Sequence, residues 1–190
     1  MYCVKTTSYA ESNIKKSRFI GILAPCHTLQ QVQQSLSHVA NNYSDASHIA
    51  FAFRIKNEQG IIYRFYDAGE PSGTAGKPIL QHLEGKNIVN AVLAVVRYFG
   101  GVKLGAGGLT RAYSNAAKDV IETSDIIPYI ELKKLKLIVE YSKLQALEFL
   151  LKKLHGHIIE QDFSGQVQVV VELPAQQAEV LLQQFSGMYL

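Results

Sequence analysis

Arg97, Lys103 and Arg111 fall in a stretch that also holds Gly100, Gly101, Gly105, Gly107 and Gly108 and no acid. Cations without a local counter-charge attract anions. Glycines add to this by letting backbone approach a ligand closely, so that several N–H groups converge on one oxyanion. An apolar run from Ile88 to Val96 leads into the stretch, and a helical pattern from Leu109 to Thr123 leads out. The reading is strand, glycine loop, helix, with the helix adding its free first-turn amides and positive dipole end. The spacing matches neither Gly-x-x-x-x-Gly-Lys-Ser/Thr nor Gly-x-Gly-x-x-Gly, so it is not an ATP or dinucleotide signature. The plain alternative is a tight turn whose glycines only let helix and sheet pack.

Other groups are candidates for the same ligand. Lys16 and Arg18 precede a β-rich run. Ser72 and Thr74, in the loop Asp67-Ala-Gly-Glu-Pro-Ser-Gly-Thr-Ala-Gly-Lys-Pro78, can donate hydroxyls to phosphate or satisfy turn amides. Tyr98, Phe99 and Tyr113 offer rings for base stacking, and Tyr98 is expected flat at the mouth of the cleft. Arg97 closes a buried strand and needs a partner there. Glu70 is the one acid expected to face the glycine loop, paired with Arg97, Lys103 or Arg111. Arg111, placed in the first helical turn, opposes the helix dipole and asks for an anion. His48 opens a strand, where a satisfied structural role competes with a functional one.

Two catalytic constellations follow from the same residues. Glu70 as base, with Lys103 and Arg111 holding an anion, would suit a small phosphorylated or nucleotide substrate. Ser72, His48 and Asp67 are the types of a hydrolytic triad if folding brings them within ~3 Å. Neither is compelled by a motif.

These groups need elements to hold them. A strand is expected at about 17 to 24, and an amphipathic helix from Thr28 to Asn41 on Leu29, Val32, Leu36 and Val39. Residues 48–55 and 61–66 form a hairpin through Lys56-Asn-Glu-Gln-Gly60. A short helix runs from Pro78 to Gly85, and a long strand from 88 to 97 precedes the glycine loop. After Pro128 the pattern restarts as β-α-β-β-α, with a strand at 129–141, a helix at 144–154, strands at 157–162 and 166–173 joined by a Phe-Ser-Gly turn, and a helix at 175–185. That is the ferredoxin-like order short of its last strand. The expected fold is α+β in two domains, 1–127 and 128–190.

Composition bounds the partners. Up to Pro128 there are 13 Lys+Arg against 9 Asp+Glu, and beyond it 6 against 7, so the basic surplus lies with the glycine loop. The net charge of +3 is far from that of a nucleic-acid-coating tail. Two cysteines, Cys3 and Cys26, form neither a disulfide framework nor a zinc motif, and no metal or cofactor is expected. No stretch approaches the ~18 apolar residues of a membrane span, so a cytoplasmic protein is expected.

The run Gly85-x-x-Ile-Val-x-x-Val, with Val95-Val-Arg-Tyr-Phe-Gly-Gly-Val-Lys-Leu-Gly and the preceding Asp67-Ala-Gly-Glu-Pro-Ser-Gly-Thr-Ala-Gly, resembles the Impact family, in particular its bacterial, YigZ-like branch. The resemblance covers essentially the whole chain. It implies a ribosomal protein S5 domain 2-like first domain and a second domain similar to domain V of the translocase elongation factor. Eukaryotic members of the family regulate translation through protein contacts. Ala68 departs from the pattern, where the family more often shows Gly; little consequence is expected.

Three functions therefore stand open: RNA or ribosome binding through phosphates, with contacts mostly to backbone; a protein-interaction regulator of translation; and an enzyme on a small phosphorylated substrate.

Overall fold

A computed structural model describes residues 1–57, 59–163 and 167–185. Its contacts divide the chain into two compact units, Met1–Tyr129 and Ile130–Leu190.

The first unit is built on a five-stranded antiparallel sheet of β2 (Ser8–Ile14), β3 (Ser17–Pro25), β4 (His48–Asn57), β5 (Gly60–Tyr66) and β6 (Ala91–Tyr98), in the spatial order β2-β3-β6-β4-β5. Helix α1 (Leu29–Asn42) covers one face; α2 (Gly76–Gly85) and α3 (Gly105–Glu122) cover the other. This explains the unbroken apolar sequence of β6. It lies in the middle of the sheet with a helix layer on each side, so Ala91 to Val96 are all buried. Side chains alternate across a strand, and Leu93 and Val95 accordingly pack under α2 and α3 while Val92, Ala94 and Val96 pack under α1. Strand β1 (Tyr2–Val4) pairs with β7 (Ile126–Pro128) as a separate two-stranded ribbon.

Helix α1 begins where the sequence signals it, with the Thr28 hydroxyl accepting the Gln31 amide at 3.1 Å. The structure departs from the expected pattern in three ways. β1 and β7 are only three residues long. β2 is an edge strand that alternates between half-buried and exposed residues with little apolar content, so it carries weak strand signal. The third departure bears on function: α3 starts at Gly105 rather than at Leu109. Glycine is a poor helix former by about 1 kcal/mol relative to Ala, which is why the sequence suggests loop. Packing of Leu109, Ala112, Tyr113 and Ala116 on the sheet carries the first turn instead.

The second unit is a three-stranded antiparallel sheet of β8 (Leu132–Val139), β9 (His157–Asp162) and β10 (Val167–Pro174), in the order β8-β10-β9. Helices α4 (Leu144–Lys153) and α5 (Ala178–Gln184) close its core on Leu137, Val169, Val171 and Leu173. Placing the last strand between the first two gives the order and directions of a ferredoxin-like sheet's first three strands. The fold is thus α+β with a small C-terminal domain. Glu58 of the hairpin turn and Ser164, Gly165 and Gln166 of the expected Phe-Ser-Gly turn and following strand lie outside the described residues.

Candidate functional site

The site forms where β6 leaves the sheet. Register puts His48 of β4 and Phe19 of β3 on either side of Arg97, and all three point to the face covered by α2 and α3. Arg97 and His48, with Phe99, Lys103, Leu104 and Leu109, border a cleft of about 380 Å³ whose rim is the start of α3. A larger groove of about 700 Å³ lies on the opposite face between α1 and β5. It is lined almost entirely by apolar groups, with Arg64 its one charge. The smaller cleft is the candidate site, because charged side chains and the uncapped start of α3 meet there.

Arg97 is only 4% exposed and donates from Nη1 to Glu70 Oε1 at 2.6 Å, while its Nε finds no partner. Glu70, equally buried, also accepts the Tyr113 hydroxyl at 2.8 Å. Burial, and then the neighbouring Glu70 charge, push the Tyr113 hydroxyl far above the usual phenol range, so it remains a donor. His48 is fixed by a 2.8 Å contact of Nδ1 with the Ala68 carbonyl, which sets Nδ1 as the protonated nitrogen of the neutral ring. Its Nε2 lies 3.9 Å from Glu70 Oε1. Sequence reasoning asks for a partner for Arg97 and offers Glu70; the structure joins them. The same joining places two donors on one Glu70 oxygen, Oε1. Tyr113, expected as a stacking ring, is fully buried, edge-on to Phe19 at 5.4 Å between centroids.

Helix α3 begins without a side-chain cap: Leu104 stands at its N-cap, and the first turn holds no acid. Gly105 has φ +70°, a left-handed conformation that only glycine adopts cheaply, and it turns the chain into the helix. Gly107 is different. A Cβ there meets nothing within 4 Å, so packing does not require glycine, and the residue leaves bare backbone on the exposed first turn. Gly105, Gly107 and Gly108 are therefore helical rather than loop residues, and Arg111 stands in the second turn instead of the first. The dipole argument for an anion at Arg111 lapses with that shift. Among the described residues neither Lys103 nor Arg111 has an acid partner, and both are exposed.

The tip of the β2–β3 hairpin adjoins this loop. Lys15 (φ +45°) and Lys16 (φ +67°) make the two-residue turn, both in the left-handed region that side chains disfavour. A Cβ on Gly100 would overlap the Lys16 carbonyl, so only glycine lets the strands' ends approach here. The Gly100 amide donates to Ser17 Oγ at 3.2 Å and the Phe99 amide to Ser47 Oγ at 3.0 Å, which anchors the loop and leaves the Phe99 ring 48% exposed. Gly101 follows with φ +83°. Arg18 and Tyr98 belong elsewhere. Strand alternation sends both to the α1 face, where Arg18 forms a two-bonded pair with Glu11 and lies over the Tyr98 ring. The Tyr98 hydroxyl donates to Asp45 at 2.8 Å, and that bond raises its pKa. Tyr98 is not at the mouth of the cleft.

The other glycine-rich loop satisfies itself. Asp67 accepts the amides of Gly73, Ala75 and Gly76 at 2.8 to 3.1 Å, filling the start of α2 with a carboxylate. Thr74 donates its hydroxyl to the Pro71 carbonyl at 2.6 Å and is buried, whereas Ser72 is exposed. With Asp67 held by backbone amides and the His48 Nδ1 by a carbonyl, the Ser72–His48–Asp67 triad does not assemble. Ala68 has φ +54°, which gives a physical reason for glycine at that position and a cost to the alanine. Lys15, not among the residues proposed for the ligand, shares the hairpin turn with Lys16. Among the described residues no group of three or more His, Cys, Asp or Glu is placed to hold a metal, and no helix is long and apolar enough to cross a membrane.

Comparison with known proteins covers both units. Residues 15–121 match the Impact N-terminal domain, and residues 137–187 match a domain of unknown function, DUF1949. The chain is 37% identical over 164 residues to the IMPACT family member YvyE of Bacillus subtilis, covering 81% of this chain and 74% of that one. It is 35% identical over 164 residues to the IMPACT family member YigZ of Escherichia coli, covering 85% and 80%. A crystal structure described as that of a hypothetical protein superposes with a TM-score of 0.74 at 32% identity, over 96% of this chain and 89% of that one.

Proposed function

The chain belongs to the Impact family, and we propose that its first domain binds RNA, free or within the ribosome, through phosphate groups. The observation that carries this reading is the uncapped start of α3, where Gly105 and Ala106 line the cleft together with unpaired Lys103, while Arg111 stands one turn further along the helix and the Lys16 end of the hairpin tip abuts Gly100. An anion there satisfies orphan amides and meets the positive end of the helix dipole. Phe99 stands exposed beside it as a stacking surface. Contacts of this kind go to the backbone of the nucleic acid, so sequence preference is low. In this reading the protein acts in translation, the process that the family resemblance suggests.

The test is fluorescence anisotropy with a short single-stranded RNA and a structured one across a salt series. Log affinity is expected to fall with log salt by about 0.7 per phosphate contact on the single strand. Lys103→Ala/Arg111→Ala is expected to flatten that slope by about one to two contacts' worth. Absence of binding at low salt by the wild-type protein overturns the reading.

One observation favours a protein partner as the second reading. β5 is an edge strand with Ile62, Tyr63, Phe65 and Tyr66 all exposed, beside the apolar groove under α1. A pull-down whose captured protein survives nuclease, and is lost on Ile62→Lys, supports it; capture that nuclease abolishes counts against it.

A further inference from the structure

From the cleft itself we infer that the site prefers a phosphate monoester on a nucleoside, either the terminal phosphate of an RNA strand or a free nucleotide, over an internal phosphodiester. This rests on the phosphate-binding reading and narrows its ligand.

The first reason is shape. Arg97, which is only 4% exposed, and buried Leu109 form the floor of a small cleft. The volume of about 380 Å³ is at the small end of ligand clefts, which run from about 300 to 1,000 Å³. It suits the end of a chain.

The second reason is charge. Arg97 and Lys103 face the cleft, and Glu70 cancels one of them. With the helix end contributing about half a charge, the net is about +1.5, which matches a monoester near neutral pH better than the single charge of a diester. The Arg97 Nε is buried and unpartnered, an unsatisfied donor on a side chain that lines the cleft. Nη1 is bonded to Glu70, and the Nε remains a costly buried donor without a partner.

The third reason is the neighbour of the phosphate. Arg97 lies 5.4 Å from the Phe99 ring centre, leaving that half-exposed ring to stack on a base attached to the bound phosphate. Gly107, glycine without a packing reason, keeps the helix's first turn bare where the phosphate oxygens would lie.

The experiment compares labelled single-stranded RNAs of one sequence carrying a 5′-phosphate, a 3′-phosphate or hydroxyls at both ends. Unlabelled nucleoside monophosphate, nucleoside and inorganic phosphate serve as competitors. One phosphorylated end is expected to bind about tenfold tighter than the hydroxyl RNA, the effect of one strong charge-assisted contact. The monophosphate should displace it and the nucleoside should not. Phe99→Ala/Lys103→Ala, both at exposed positions, should reduce the advantage to below about twofold. Equal binding of all three RNAs with the salt slope intact overturns the inference and leaves RNA binding standing. Binding of the monophosphate without RNA binding upholds the inference and removes the RNA reading, and binding of neither removes both.

Discussion

Helices α2 and α3 begin alike and end up opposite. Each follows a glycine-rich segment, and each presents first-turn amides to the same side of the sheet. At α2 the chain supplies its own anion: both Asp67 oxygens are used, on three backbone amides. At α3 it supplies none, and the nearest acid, Glu70, is committed to Arg97 and Tyr113. An occupied helix start is a structural joint; an unoccupied one beside unpaired cations is what the proposed reading takes for a binding site. Glycine content alone does not distinguish the two. The position of the acid does.

That contrast can be broken from either side. The largest effect is expected at the occupied end, where Asp67→Ala strips a carboxylate from three amides. Charge-assisted bonds of this kind should cost on the order of 3 kcal/mol together, or roughly 10 °C of Tm by calorimetry. Next is Gly100→Ala, which forces a Cβ into the Lys16 carbonyl. A loss of about 1–3 kcal/mol in urea unfolding is expected, because backbone rather than a flexible side chain must move. At the unoccupied end the sign reverses. Gly107→Ala should raise stability by about 0.5–1 kcal/mol, since nothing stands where its methyl would go, while weakening RNA binding.

The smallest effect probes the layer behind both helices. His82 of α2 and Ser114 of α3 share a 2.7 Å hydrogen bond, and burial, then Lys118 and Lys86, hold the His82 pKa below its usual value. A depressed histidine is neutral in the folded chain and protonates more readily when unfolded. Stability should therefore be full above the ordinary histidine pKa of about 6.5 and decline as pH falls through and below it. Titration of the urea midpoint should show that decline flattened in His82→Gln.

What the sequence disclosed of this contrast follows from which signals are local. The β4–β5 hairpin is legible because its turn lies between two β-rich runs, and Arg97 declares its need for an acid by closing a buried strand. The β2–β3 hairpin is hidden because Lys15 and Lys16 adopt left-handed φ without the glycine or asparagine that usually marks such a turn. The start of α3 is hidden for the converse reason: glycines that argue for loop are carried into a helix by the packing of its later turns. Tyr98 was misplaced by one residue's alternation, since Arg97 and Tyr98 must face opposite sides of β6. Ala68 carries a cost where the sequence pattern leads one to expect little consequence. With φ +54°, Ala68→Gly should gain about 0.5–1 kcal/mol.

The most direct test gives α3 the anion it lacks. Ala106 is exposed in the first turn, so Ala106→Glu adds a carboxylate beside the free amides without removing packing. The same charge at Gln34→Glu, exposed on α1 across the sheet, is the control. Stability of Ala106→Glu should rise by about 0.3–1 kcal/mol from the dipole, and RNA affinity at low salt should fall by at least about tenfold while the control binds as wild type. If Ala106→Glu binds RNA as wild type does, the start of α3 is not where the anion goes.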